Sequence, residues 1–445
     1  MGKVVVAGGS VAGLACALAL AKRGIEVVVA ERAAAPPEGP IDEVVASWDR
    51  PTVPQAHHSH TLTSAGVAAL RAHAPEVLAA ATDAGAVLLD LVKALPHGTP
   101  DAGDDELRAL ACRRTTFELV LYRAARAAPG VTIRHGARVR GLDITGDRVT
   151  GVIVHSGHNT GTRAEIVPTD TVIDATGRRA EARAWLAAAG FPLPPDLSTP
   201  SGFLGYSRFY RRQGPLLPLN RGNAAGIVGD RYAGVLHPGD GDTFSIAMAV
   251  LPEDTAMRSL RHADDFTAAA IDTPGLAPWL ADARPISPVR AINCPPNLLR
   301  AAMMTPPVEG VYPVGDAACV TNPLYGRGMS LALVHAFRLA ETLSPAVAMD
   351  IYPPWYEQAG QDDAERIARW RASIEGQAPP AMPRGVTLRS AGLAARHDPT
   401  VWRGVMRVLM SLAPPGEVFA EPDFEDRVLR ALSADQLATP AGKGR

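Results

Sequence analysis

The chain has 445 residues, 47% hydrophobic and 20% charged, which excludes a mainly disordered chain, a collagen and a long charged coiled coil. Its 44 Lys and Arg against 46 Asp and Glu leave a net charge of -2. Phosphate-backbone binding needs a basic surface, so no nucleic-acid partner is expected. At roughly 150 residues per domain, the length suggests about three domains in series. The four cysteines, Cys16, Cys112, Cys294 and Cys319, form no C-x-x-C and suit neither a zinc site nor a disulfide framework. A reduced, cytoplasmic setting is the simplest expectation.

Residues 3–7 are a short β-branched run, the mark of a buried parallel strand. Residues 8–13 form a glycine-rich turn, residues 14–23 are strong helix formers, and Gly24 stands where a helix would end. Residues 25–31 read as a second strand, which completes a βαβ unit. Residues 4–21 also carry no charge and follow Lys3, as a signal-peptide core would. Gly8, Gly9, Ser10 and Gly13 break any continuous apolar helix there, so neither a signal peptide nor stable membrane insertion is expected.

Residues 34–60 hold five prolines and read as a long loop. Residues 63–86 and 114–128 are predicted helices. Residues 131–135, 139–145 and 148–155 are predicted strands, the last two joined by a Gly146-Asp147 turn. A further strand ends at Asp174–Gly177. Residues 203–211, 225–228, 232–236 and 244–250 suggest an antiparallel sheet. Residues 311–316 suggest a strand, and a helix is expected from about 329 to 343. The last hundred residues read as mostly helical, broken by pieces such as Pro379-Pro380 and Pro414-Pro415.

The first glycine motif is Gly8-Gly9-Ser10-Val11-Ala12-Gly13. It departs from G-x-G-x-x-G at Ser10. Gly8 permits the strand-to-helix turn, Ser10 is small enough for a pyrophosphate to approach the backbone, and Gly13 lets the helix pack on the strand. The N–H groups at Val11 and Ala12 then open a helix toward an anion. Glu31 ends the second strand 18 residues after Gly13, where a carboxylate can hold a ribose diol, with Arg32 beside it. Together these point to dinucleotide binding.

A second signature lies some 300 residues on: Val314-Gly315-Asp316-Ala317-Ala318, then Asn322-Pro323-Leu324-Tyr325-Gly326-Arg327-Gly328-Met329. On these residues the chain resembles the flavoprotein monooxygenases related to para-hydroxybenzoate hydroxylase. Within them, the loop resembles squalene-epoxidase, styrene-monooxygenase and bacterial natural-product branches. The resemblance implies that Asp316 binds the ribityl and pyrophosphate region of FAD. It also implies that Pro323, Gly326 and Gly328 run beside the isoalloxazine ring, with the helix N-terminus at Met329 facing N1 and O2. Reduced flavin is negative near N1, and a helix N-terminus favours that charge. Arg114 matches the family's flavin-side arginine, and Val139 falls where a backbone contact to adenine is usual. Asp174-Ala175-Thr176-Gly177-Arg178 occupies the second-strand motif, but Thr176-Gly177 stands where many aromatic hydroxylases have Asp-Gly, which puts direct NADPH docking in doubt. The electron source is therefore NAD(P)H or reduced flavin from a separate reductase.

The fold so implied is α/β. A Rossmann-like FAD-binding domain is discontinuous over 1–190 and 290–345. An antiparallel-sheet substrate domain occupies 191–289, with part of 65–110, and 346–445 form a helical extension. The implied activity is monooxygenation: one atom of O2 passes, through a flavin C4a-hydroperoxide, to an apolar natural product in secondary metabolism, by epoxidation or hydroxylation. A flavin dehydrogenase or reductase acting on C–C bonds without oxygen insertion is the rival reading, and a non-enzymatic flavin-binding protein is the third. The W-x-W-x-I-P pattern of halogenases is absent, since no two of the six tryptophans lie two apart.

Other residues leave alternatives open. His57, His58 and His60 suit a loop lining the flavin edge, a plain surface loop or, with no further ligand cluster, a metal site least of all. Cys319 reads as a small buried residue rather than a covalent flavin anchor. His58, His60, Tyr206, Arg208, Tyr210 and Pro323 are the pocket candidates; Tyr206, Arg208, Phe209 and Tyr210 alternate faces on the 203–211 strand, so one face suits either the substrate pocket or ordinary sheet packing.

Overall fold

The computed structural model describes residues 2–58, 60–157, 163–214, 216–219 and 226–438. The chain begins with β1 (Val4–Ala7), α1 (Val11–Ala21) and β2 (Val27–Glu31). After the residues 32–113, α2 (Arg114–Ala127) leads to β3 (Val131–His135). An antiparallel excursion over 137–168 precedes β4 (Thr171–Asp174). Then come β5 (Leu204–Arg212), β6 (Ala233–Pro238) and β7 (Thr243–Val250), followed by β8 (Asn297–Leu299) and β9 (Val311–Pro313). Three helices matter below: α3 (Gly328–Thr342), α4 (Ala346–Ile374) and α5 (Pro399–Leu409).

The central sheet runs β9-β4-β1-β2-β3, all parallel. Every residue of β1 and β2 is buried, as the unbroken Val runs require of strands covered on both faces. One face carries α1, α2 and α3; the other is closed by the 137–168 strands and Trp185. Ala7 pairs with Asp174 and with Ala30, and Asp174 with Pro313. The loops after β1, β2, β4 and β9 therefore leave at one carboxyl edge, where open parallel sheets bind ligands. Residues 311–313 thus join a sheet begun more than 300 residues earlier.

A second, antiparallel sheet contains β5, β6 and β7. Its outer face packs Tyr206, Tyr210, Leu236, Phe244 and Ile246 against the Ala263–Asp272 helix and Trp279. The C-terminal region is helical, and α4 runs 29 residues with Pro353 and Pro354 inside it. No helix among the described residues is long and apolar enough to cross a membrane.

Two expectations change in detail. The predicted 63–86 helix is two, Ser64–His73 and Pro75–Asp83, because Ala74 takes an extended φ before the proline ring. The 34–60 stretch, expected as a loop, contains a helix, Ile41–Ser47. Of the 225–228 strand, Gly226–Val228 is observed; residue 225 lies outside the described residues.

Candidate functional site

The glycine turn is closed by sterics. A Cβ on Gly13 would lie 1.9 Å from the Gly8 carbonyl oxygen, and one on Gly8, at φ 107°, would lie 2.4 Å from the Ala175 oxygen. Only hydrogen fits, so α1 starts directly against β1 and β4. Ser10 precedes the helix and makes no side-chain cap bond; its Oγ instead accepts from Arg114 Nη2 at 3.2 Å. The N–H groups opening α1 therefore stay aimed at the sheet edge.

Glu31 reaches back to this turn. Its two carboxylate oxygens accept from the N–H groups of Gly9 and Ala33, at 2.6 and 2.7 Å. Carboxylates have about four acceptor sites, so capacity for a diol remains. Arg32 flanks it and donates to the Thr52 carbonyl at 3.4 Å. Val139 is buried and lies with Ala30, Arg32 and Thr176 around a small recess next to the main cavity.

On the other side, Gly315 packs between the helices: a Cβ there would lie 3.1 Å from Ala12 Cβ and 3.4 Å from Ala332 Cβ. The Gly315 N–H donates to the Tyr352 hydroxyl at 3.0 Å. Asp316 holds an ion pair with Arg178 at 3.6 Å, and its carbonyl accepts from Arg300 at 2.6 Å. The Asn322–Gly328 loop then turns through Gly326 at φ 65° and delivers Met329 into the first turn of α3. Thr63 N–H donates to Ser330 Oγ at 2.9 Å, which ties this helix start to the loop after the histidines.

These parts line one cavity of about 850 Å³, within the range of ligand pockets. Ser10, Val11, Ala12, Glu31, Arg32, Arg114, Asp316, Pro323, Gly326, Gly328 and Met329 all reach it. Gly8 and Gly13 sit behind its wall. Thr63 Oγ1 is buried at this wall with no hydrogen-bond partner among the described residues, as a hydroxyl kept for a ligand would be. Glycine cradle, helix N-terminus, ribose-side carboxylate and the unpaired Thr63 hydroxyl together fit an elongated dinucleotide.

His58 and His60 line the same cavity. His58 Nδ1 lies 2.7 Å from Ser207 Oγ, and His60 Nδ1 lies 2.8 Å from the His58 carbonyl. Burial pushes His58 down to about 4, and burial with the nearby Arg114 charge pushes His60 down to about 3. Both are neutral at pH 7. Ser59 between them lies outside the described residues. His237 joins them from β6, with Nδ1 2.8 Å from Thr61 Oγ1, and burial takes it down to about 4. Cys319 is buried, and burial pushes its thiol up to about 12, which leaves no thiolate.

The strand candidates need correction. Register places Gly205 opposite Ala249, Ser207 opposite Ala247, Ala233 opposite Ala249 and Val235 opposite Ala247. These small residues share the cavity face. Tyr206, Arg208 and Tyr210 lie on the other face, since strand side chains alternate. Tyr210 stacks on Phe244 at 5.2 Å, Arg208 donates to the Ser287 carbonyl, and neither reaches the cavity. Tyr206 touches the cavity wall but belongs to the outer core. The aromatics fill the core under the covering helix, and the small residues leave the open space.

Sequence reasoning missed several lining residues. Leu89, Leu91, Met406, Leu409 and Met410 close the apolar end from distant elements. Arg50 lies beneath Arg114: Glu118 pairs with Arg50 at 2.5 Å, both buried, and faces the part-buried Arg114 at 3.6 Å. The Arg114/Glu118 spacing of four was the available signal; nothing near Arg50 offered one.

Residues 1–194 match the FAD binding domain family. They are an FAD-binding domain of the kind found in monooxygenases like para-hydroxybenzoate hydroxylase. Over 406 residues the chain is 28% identical to Protein Rv3254 of Mycobacterium tuberculosis, covering 82% of each. Among solved structures it is similar to a flavoprotein/dehydrogenase from Cytophaga hutchinsonii (TM-score 0.66, 13% identity, 99% of this chain and 100% of that one). It is also similar to a triple mutant of the flavin-dependent brominase Bmp2 (0.62, 18%, 98% and 99%). A third is PqsL of Pseudomonas aeruginosa, described as a probable FAD-dependent monooxygenase (0.59, 16%, 91% and 98%). At these identities the structures speak to the fold, which all three share with this flavoprotein.

Proposed function

We propose that this flavoprotein is an FAD-dependent monooxygenase acting on an apolar natural product by epoxidation or hydroxylation. The observation that carries the reading is one continuous cavity. The dinucleotide-binding turn and the Pro323–Met329 loop face its one end, and the small-residue face of β5, β6 and β7 floors the other. When bound, FAD supplies the redox chemistry and the reaction with O2.

The chain's own residues have separable tasks. Glu31 holds the adenosine ribose, and the opening N–H groups of α1 with Arg114 hold the pyrophosphate. Asp316 anchors the ribityl side. The N–H groups opening α3 favour negative charge at the ring edge they face. Gly205, Ala233, Ala247 and Ala249 leave room for a flat or bulky substrate, and Leu91, Met406 and Met410 help exclude water from it. Neutral His58 and His237 place imidazoles at the polar rim without adding charge. Electrons come from NAD(P)H or from reduced flavin made by a separate reductase.

The test is isotopic. Protein loaded with FAD, given reductant and 18O2, is incubated with apolar alkenes and electron-rich arenes, and product mass is recorded. Product carrying one 18O atom supports the reading. Loss of two hydrogens without label would replace it with a dehydrogenase.

A further inference from the structure

The C-terminal helix α4 carries a carboxylate that none of these tasks uses. Asp363 is 1% exposed and fully engaged. Its Oδ1 accepts from Asn322 Nδ2 at 2.6 Å and from Arg366 Nη2 at 2.8 Å, and its Oδ2 accepts from Asn297 Nδ2 at 2.8 Å. Asn297 Oδ1 accepts the Asn322 N–H at 2.6 Å. Because a carboxylate only accepts, Asn322 must offer it the amide NH2. That turns Asn322 Oδ1 to the Leu324 N–H, which donates to it at 2.8 Å and closes the first turn of the flavin-side loop.

The same carboxylate reaches the substrate floor through Arg366. That guanidinium donates to the carbonyls of Ser201 and Gly202, the latter at 3.2 Å, and lies 4.7 Å over the Trp370 ring. Ser201 and Gly202 lead into β5, whose Gly205 and Ser207 floor the cavity. One buried charge thus fastens the start of the loop beside the cofactor and the start of the strand beneath the substrate. Apolar packing could glue α4 to the fold without such bonds. A buried ionic network with its acceptors filled selects one geometry where a greasy contact tolerates several.

We propose that Asp363 is a positioning residue that sets the spacing between the Pro323–Met329 loop and the β5 floor. The proposal rests on the flavin reading above.

The experiment compares wild type, Asp363→Asn, Asn322→Ala and, as a control on the same helix, Arg371→Ala, which breaks only that residue's exposed pair with Glu253. Asp363→Asn turns an NH2 onto neighbouring donors. Asn322→Ala leaves the Asp363–Arg366 pair in place and covers the case in which the first variant does not fold. Amide hydrogen exchange is followed in flavin-free protein; FAD affinity and flavin midpoint potential follow on loaded protein. Exchange over 322–328 should quicken roughly tenfold or more in either variant while α1 stays at the wild-type rate. FAD should bind roughly tenfold more weakly and its potential should shift. Arg371→Ala should match wild type throughout. A wild type that takes up no FAD overturns the flavin reading, and this assignment with it. A wild type that binds FAD, with wild-type loop exchange and potential in the folded variants, overturns the assignment of Asp363 alone.

Discussion

Gly9 N–H donates to Glu31 Oε2 at 2.6 Å, so the carboxylate at the end of β2 also closes the glycine turn after β1. Glu31→Ala should therefore harm FAD binding twice, through the lost ribose acceptor and through a loosened Gly9. A loss of one to two charge-assisted bonds corresponds to roughly 10- to 100-fold weaker affinity. Quenching of flavin fluorescence on titration measures it. Wild-type affinity in the variant would remove Glu31 from the site.

Gly13→Ala tests whether α1 needs its close seat. The added Cβ would fall 1.9 Å from the Gly8 oxygen, which is backbone and cannot swing away. Overpacking of this kind costs about 3 kcal/mol or more, enough to lower Tm by several degrees. Calorimetry reads the shift. An unchanged Tm would mean that the helix does not pack so tightly on the turn.

The Tyr352 hydroxyl accepts from the Gly315 N–H at 3.0 Å and lies 3.0 Å from Nδ1 of His335. Burial pushes His335 down to about 3, against an unfolded value near 6.5. Between those values the unfolded chain binds a proton that the folded chain refuses. This contribution is complete above pH 6.5 and is lost as pH falls toward 3, by up to about 1.4 kcal/mol per unit. Asp362, pushed up to about 7 by burial, works in the opposite sense below pH 7, so the total pH dependence mixes both. The difference between wild type and His335→Gln isolates the histidine. Urea unfolding at pH 7, 6 and 5 should show wild type losing ground to the variant on acidification. A constant difference would contradict a buried neutral His335.

How far the sequence could be read follows from the range of each signal. The βαβ start, the Gly315-Asp316 strand end and the Met329 helix are local patterns of period and punctuation, and their chemistry sits on the backbone that the pattern describes. The resemblance then linked Gly8 to Asp316 across the chain. The substrate end has no such local mark. Which face of β5 meets the cavity depends on the helix that covers the other face, and no residue within 203–211 reports that helix. Arg50, Met410 and Asp363 act through partners 41 to 68 positions away or more, which no periodicity encodes.

Ala249 offers the sharpest check on that face. It is buried opposite both Gly205 and Ala233, on the cavity side of the sheet. A phenyl ring there would project into the space assigned to substrate, away from Glu31 and Asp316. Ala249→Phe should therefore leave FAD affinity unchanged and weaken binding of an apolar fluorophore such as anilinonaphthalene sulfonate by about tenfold or more, the scale of one lost apolar contact patch. Tyr210→Leu, on the outer face against Phe244, should cost stability but leave fluorophore affinity intact. Equal fluorophore binding by Ala249→Phe and wild type, with loss in Tyr210→Leu, would show that the aromatic face lines the pocket after all.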